Sequence, residues 1–207
     1  MTEPRIMLVR YDEIGLKGKN RRYFENCLRD NIRKKLSGVK IDGLRMPRGR
    51  IMIETDQSVV GECVERLRLV PGIASLSVGV FVSHDFDAIA EVGIGWIVPR
   101  LRDAGTLKFC VRTHRAFKLF PQTSPEINFE VGSRIMRRLS TEGLVVNIKK
   151  AEFVLEVEVR QEGAVVFNNR IPGLRGLPVG SSGEVLTLLS GGIDSPAAAH
   201  RLICRGC

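Results

Sequence analysis

Near the end of the chain, Ser190-Gly191-Gly192-Ile193-Asp194-Ser195 sets two hydroxyls, two glycines and a carboxylate side by side. That set suits the binding of a polyphosphate. Glycines let a backbone approach an anion closely, hydroxyls donate hydrogen bonds, and a helix beginning here turns its unpaired amides toward the phosphate. The apolar run Val185 to Leu189 before the loop reads as a strand buried on both faces of a parallel sheet, and Ala197 to Cys204 after it reads as a helix. Ser190 and Ser195 are the expected hydroxyl donors, and Asp194 is expected to cap the helix and to help hold a magnesium ion. A Walker loop needs lysine after its last glycine, and none is present, so the design is a different one. An ordinary turn capping an ordinary helix is the plainer reading of the same residues.

Two basic clusters stand elsewhere. Lys17, Lys19, Arg21 and Arg22 open a helix whose outer face also carries Arg29, Arg33 and Lys34. In Val111 to Lys118, Arg112, His114, Arg115 and Lys118 alternate with apolar residues, and arginine forks suit phosphates while Phe117 and Phe120 could stack on exposed bases. Ion pairing within the protein, solvation, and core packing of the phenylalanines are the competing uses. The whole chain supports an anionic partner: 32 Lys and Arg against 23 Asp and Glu give a net charge of +9 and a pI near 9.7, which favours polyanions through counterion release.

Other chemistry is poorly supported. His84, His114 and His200 lack metal-ligand spacing with the cysteines. Cys204 and Cys207 spell C-x-x-C, yet one pair cannot complete a four-ligand site, and Cys204 falls in the apolar phase of its helix. The cysteines at 27, 63, 110, 204 and 207 look like reduced core residues, so a disulfide framework is not expected. No apolar run approaches the roughly 18 residues of a membrane helix, and Met1 to Arg5 lacks the apolar core of a secretory signal. A cytoplasmic location is expected.

The elements that must position these residues follow from periodicity. A strand over 5–11, an amphipathic helix over 18–37, β runs over 39–46 and 50–55 around a Pro47-Arg48-Gly49 turn, a short helix with Val60, Cys63 and Leu67 inward, and a strand over 73–82 give β-α-β-β-α-β, the order of a ferredoxin-like domain. A second α/β unit follows. Its first helix carries Ile89 to Ile97, weakened by Gly93 and Gly95; a strand spans 107–113, a helix runs from Ser124 to Ser140, and β segments cover 145–149, 153–160 and 164–167. Residues 171–183, rich in glycine, proline and serine, read as a linker.

Ser-Gly-Gly-Ile-Asp-Ser-Pro resembles the pyrophosphate (PP) loop of the ATP pyrophosphatase superfamily, which implies ATP as cofactor and places Leu188 and Leu189 against its adenosine. Arg10-Tyr11-Asp12-Glu13-Ile14-Gly15-Leu16-Lys17-Gly18-Lys19-Asn20-Arg21 and Gly176-Leu177-Pro178-Val179-Gly180-Ser181 resemble the tRNA sulfurtransferases, or tRNA 4-thiouridine synthetases, and the resemblance covers the whole chain. It implies a ferredoxin-like domain over 1–82, a THUMP RNA-binding α/β domain over 83–170 whose profile could start nearer 60, a linker over 171–183, and a truncated first βα unit of a doubly wound PP-loop domain over 184–207. The segment Val111 to Lys118 looks like the basic stretch after the first THUMP strand. The implied reaction adenylates uridine at tRNA position eight, after which persulfide sulfur displaces AMP; the family also supplies sulfur for the thiamine thiazole. Partners implied are tRNA, a cysteine desulfurase or other persulfide donor, and a second copy in a homodimer. No residue matches the family's sulfur-transferring cysteine, so these residues alone are expected to be inactive. The alternative is a stand-alone RNA-binding module with a vestigial ATP loop.

Overall fold

A computed structural model describes residues 4–47, 49–139 and 143–207, and these divide into two compact units, Met1–Val78 with Arg170–Cys207, and Gly79–Asn169. Arg48 in the expected turn and Ser140 at the expected helix end lie outside the described residues.

The first unit runs β1 (Pro4–Arg10), α1 (Arg21–Lys35), β2 (Ile41–Arg45), β3 (Ile51–Asp56), α2 (Val60–Leu67) and β4 (Ser75–Val82). Its sheet order is β2-β3-β1-β4, with β3 antiparallel to both β1 and β2, so the ferredoxin-like reading holds. The alternation of β3 and the stripe Phe24, Leu28, Ile32 of α1 meet in one core with Met7, Val9, Cys63 and Leu67. Each large aliphatic residue buried there contributes roughly 1.5–3 kcal/mol relative to exposure. Helix α1 starts later than periodicity predicts because Gly18 takes a positive φ of 52°, which diverts residues 18–20 into a 3-10 turn.

The second unit contains α3 (Phe86–Ala104), β5 (Leu107–Arg115), α4 (Ser124–Leu139), β6 (Leu144–Val146), β7 (Phe153–Val159) and β8 (Ala164–Phe167). Strand β5 lies parallel to β6 and β7, and β8 runs antiparallel to β7 and to residues 79–82 of β4. Both helices pack on one face of this sheet through Ile89, Ile97, Ile127, Val131 and Ile135. Gly93 does not break α3. It is a packing position, since a Cβ there would come within 2.8 Å of Leu155 Cδ2 and 3.2 Å of Ile135 Cδ1.

Residues 171–183 are not a free linker. Ile171–Pro172 forms β9 on β4, the Gly72 amide donates to Arg175 O at 2.8 Å, the Arg175 amide donates to Ile73 O at 2.8 Å, and Leu177 is buried in the first core. The glycines and prolines that suggested flexibility serve close approach, because a Cβ on Gly173 would meet Ile73 O at 2.3 Å. Arg175 Nε also donates to Asp12 Oδ2 at 2.8 Å. Burial opposes ionisation of Asp12, yet the Arg175 guanidinium and the Glu13 amide hold its carboxyl below the usual range.

Beyond this strap, Val185 to Leu189 is not a strand. No strand pairs with it among the described residues, and Leu186 and Leu188 are 93% and 85% exposed; an apolar β run needs neighbours to supply its ladder bonds. Helix α5 (Asp194–Cys204) follows and has no buried residue, so Cys204 is half-exposed rather than a core thiol. The chain then returns to the strap: the Leu177 amide donates to Cys204 O at 2.9 Å and the Ser182 amide to Gly206 O at 3.0 Å.

Limited proteinase K digestion should therefore cut first within 184–190 and spare 171–182, read by mass spectrometry; early cuts inside 171–176 would contradict the docked strap. A depressed folded-state pKa means that the Asp12–Arg175 contact stabilises fully above the unfolded value near 4 and is lost as pH falls through the lower folded value. Asp12→Asn should accordingly narrow the gap between urea midpoints at pH 6 and pH 3.

Candidate functional site

The first basic cluster lies at the start of α1. Lys19, Arg21, Arg22, Arg29 and Arg50 line a concavity of about 750 Å³, with Asn26 and the single carboxylate Glu25. Among the described residues, five cations around one carboxylate leave the basin positive, and a concave wall focuses that potential on an incoming anion. Lys19 and Arg22 are exposed and make no ion pair among the described residues. Arg29 donates to Asp30 at 2.8 Å and to Asn26 at 3.1 Å. Lys17 does not line the basin; its Nζ sits 4.9 Å from the Phe24 ring centroid, a cation–π contact that uses the charge locally.

Arg21 is tied in place. Its Nε donates to Glu25 Oε1 at 2.7 Å and its Nη2 to Tyr11 Oη at 2.9 Å, while the Tyr11 hydroxyl donates to the same Glu25 oxygen. Burial, then the Glu25 hydrogen bond, pushes the Tyr11 phenol up to about 12. Tyr11 therefore stays a neutral donor throughout the physiological range.

In the second unit the sequence candidates separate by strand face. Arg112 and His114 are exposed, at the register positions of Glu156 and Glu158 on β7. Arg115 points the other way and donates to Phe120 O and Gln122 O, both at 2.9 Å. It pins the loop after β5 through Nη1, one of the three nitrogens of its guanidinium. Lys118 and Leu119 are exposed on that loop, and Leu119 is 84% exposed. Phe120 packs against the core and against His84 with ring centroids 4.9 Å apart, so core packing claims it in place of base stacking. A buried ion pair between Glu158 and Arg160, with His84 Nε2 2.7 Å from Arg160 O, anchors the end of β7.

The loop 190–195 is held by its own hydroxyls. The Ser190 amide donates to Ser195 Oγ at 2.9 Å, the two Oγ atoms are 3.2 Å apart, and the Gly192 amide reaches Ser190 Oγ at 3.4 Å. Asp194 is the first residue of α5 and Ile193 occupies the capping position without a side-chain bond, so Asp194 does not cap the helix and its carboxylate faces solvent. At the start of α5 the Asp194 and Ser195 amides have no intrahelical partner by geometry, Pro196 has no N–H, and the Ala197 amide donates to Ile193 O at 3.3 Å. Free amides, two hydroxyls and glycines without Cβ atoms fit a pyrophosphate, and the Asp194 carboxylate is a hard oxygen donor that fits magnesium. Leu188 and Leu189 are exposed beside the loop.

Three family models match in succession: the ThiI ferredoxin-like domain over residues 6–77, the THUMP domain over 83–168, and "Thiamine biosynthesis protein (ThiI)" over 180–207. A "Probable tRNA sulfurtransferase" of Halothermothrix orenii is 40% identical over 98% of this chain, and one of Thermotoga maritima is 39% identical over 100% of this chain. The chain is a member of the tRNA sulfurtransferase family. It spans about half the length of the curated relatives it matches, 51% in both cases. A crystal structure of a 4-thiouridine synthetase in complex with RNA and bound ATP aligns with a TM-score of 0.80 at 39% identity, covering 99% of this chain and 51% of that one. Both expected domain types are thus present, and the third model begins at residue 180, within the strap.

Arg29, Asn26 and Arg50 of the basin were not among the sequence candidates. The i, i+4 and i+3 spacing of Arg21, Glu25, Arg22, Asn26 and Arg29 on one helix signals the first two, whereas Arg50 arrives through the fold alone. Because Arg115 holds two loop carbonyls, Arg115→Ala should destabilise the second unit by about 1–3 kcal/mol in urea denaturation, while Lys118→Ala should leave the midpoint unchanged.

Proposed function

We propose that the chain is the tRNA-binding front portion, with the start of the ATP-binding domain, of an ATP-dependent tRNA sulfurtransferase. The observation that carries this reading is the chain-long similarity, at TM-score 0.80, to a 4-thiouridine synthetase seen with RNA and ATP. Domain limits of 1–82, 83–170 and 184–207 serve that division of labour.

The basin residues Lys19, Arg21 and Arg22, together with Arg112, His114 and Lys118 of the second unit, bind the RNA backbone through charge-assisted hydrogen bonds. The loop Ser190, Gly191, Gly192, Asp194 and Ser195 takes the phosphates of ATP, Leu188 and Leu189 lie by its adenosine, and Asp194 helps hold magnesium. Complete enzyme would transfer AMP to uridine at position eight with release of pyrophosphate, and a persulfide sulfur would then displace AMP to give 4-thiouridine. A cysteine desulfurase as donor, a homodimer, a cytoplasmic setting and a contribution to the thiamine thiazole belong to the same proposal. The 207 residues alone are inactive in this reading, because the sulfur-transferring cysteine has no counterpart among them.

Salt titration tests the binding half. Affinity of the 207-residue chain for tRNA should fall linearly in log–log form with salt, and Lys19→Ala with Arg22→Ala should reduce the slope by about two. No affinity at low ionic strength would sink the reading. In a chain extended through the remaining half, Asp194→Ala should abolish ATP-dependent adenylation of tRNA while leaving tRNA binding intact; adenylation that survives the change would remove Asp194 from the site.

A further inference from the structure

One cation of the basin sits in a closed triangle of side-chain hydrogen bonds. Arg21 is fixed by Glu25 through Nε and by Tyr11 through Nη2, and Tyr11 bonds in turn to the Glu25 oxygen that Arg21 uses. Two of the five N–H donors of the guanidinium are thereby spent and three remain. Its carbon lies 5.7 Å from the Tyr11 ring centroid, and Gly49 is close by, where a Cβ would sit 3.7 Å from Nη2. The arginine side chain is 27% exposed, so part of it still faces the basin.

A carboxylate beside an anion site weakens attraction, and its presence needs a compensating gain. Orientation supplies one. A free arginine loses rotamer freedom when it grips a phosphate, whereas a fork already fixed has lost that freedom in the unbound protein. Resting on the reading that this basin binds RNA, we propose that Tyr11 and Glu25 are positioning residues that set the Arg21 fork for a bidentate bond to one phosphate of the RNA backbone. Glu25 fixes one edge of the guanidinium plane. Tyr11 fixes the rotation about it, and its hydroxyl can do so because the proton is given to Glu25, leaving an oxygen lone pair for Arg21. Lys19 and Arg22 then serve as unpositioned charges that attract without orienting.

The test is binding of unfractionated tRNA to the 207-residue chain across a salt series. Tyr11→Phe should weaken binding about three- to tenfold with the salt slope unchanged, because the cation stays while its orientation is lost. Arg21→Ala should weaken it further and lower the slope by about one. In the Arg21→Ala background, Tyr11→Phe should have no added effect. Should Tyr11→Phe fail to fold, Arg21→Lys keeps the charge without the fork and should reproduce the same loss at constant slope. Equal weakening by Tyr11→Phe in both backgrounds, or native affinity of Arg21→Lys, would overturn the positioning role. If Arg21→Ala itself binds with native affinity and slope, it is the RNA reading of the basin that fails.

Discussion

Backbone pairing between residues 72–76 and 171–175 is the constraint on which the first unit depends. It consists of a short β ladder and three crossed amide bonds, and it carries the chain back to β4 after an excursion of 91 residues through the second unit. Loop closure over that length costs entropy, but the cost grows only slowly with length, and the ladder, the buried Leu177 and the Asp12–Arg175 contact oppose it together. Everything downstream inherits its position from this return. The last residues fold onto the strap through Cys204 O and Gly206 O, and the loop 190–195 is carried between the strap and this return.

Cations that look equivalent in sequence divide into those already spent and those left over. Lys17 rests on Phe24, Arg115 holds two carbonyls, Arg175 holds Asp12, and Arg21 is clamped by Tyr11 and Glu25. Lys19, Arg22, Arg112 and Lys118 face solvent. The distinction matters because a charge engaged by the protein contributes less to counterion release, while one that is oriented but still open to solvent contributes direction as well as charge. An excess of nine positive charges is thus a property of composition, and the placement of a usable positive surface is a property of packing.

The C-terminal segment marks where local preference stops being enough. Val185 to Leu189 has the composition of a buried parallel strand but joins no strand among the described residues, with Leu186 and Leu188 in solvent. A β run satisfies its amides only through a neighbour, so composition announces a strand that these residues cannot complete among themselves. Helix formation needs no such neighbour, and α5 forms directly after the loop, starting at Asp194 rather than Ala197.

Sequence by itself determined the β-α-β-β-α-β order of the first unit, the α/β character of the second, and the glycine and serine loop that leads into α5, because each rests on periodicity or on residue types within a few positions of one another. Only the tertiary structure decided that 171–183 is a docked strap, that Arg115 holds two carbonyls of the loop after β5, that Arg50 joins Arg21 in one basin, and that Tyr11 reaches Glu25. Those outcomes depend on which distant groups the sheet register brings within about 3 Å, a distance at which hydrogen-bond donors are either used or left free. Spacing along a chain carries no record of that choice.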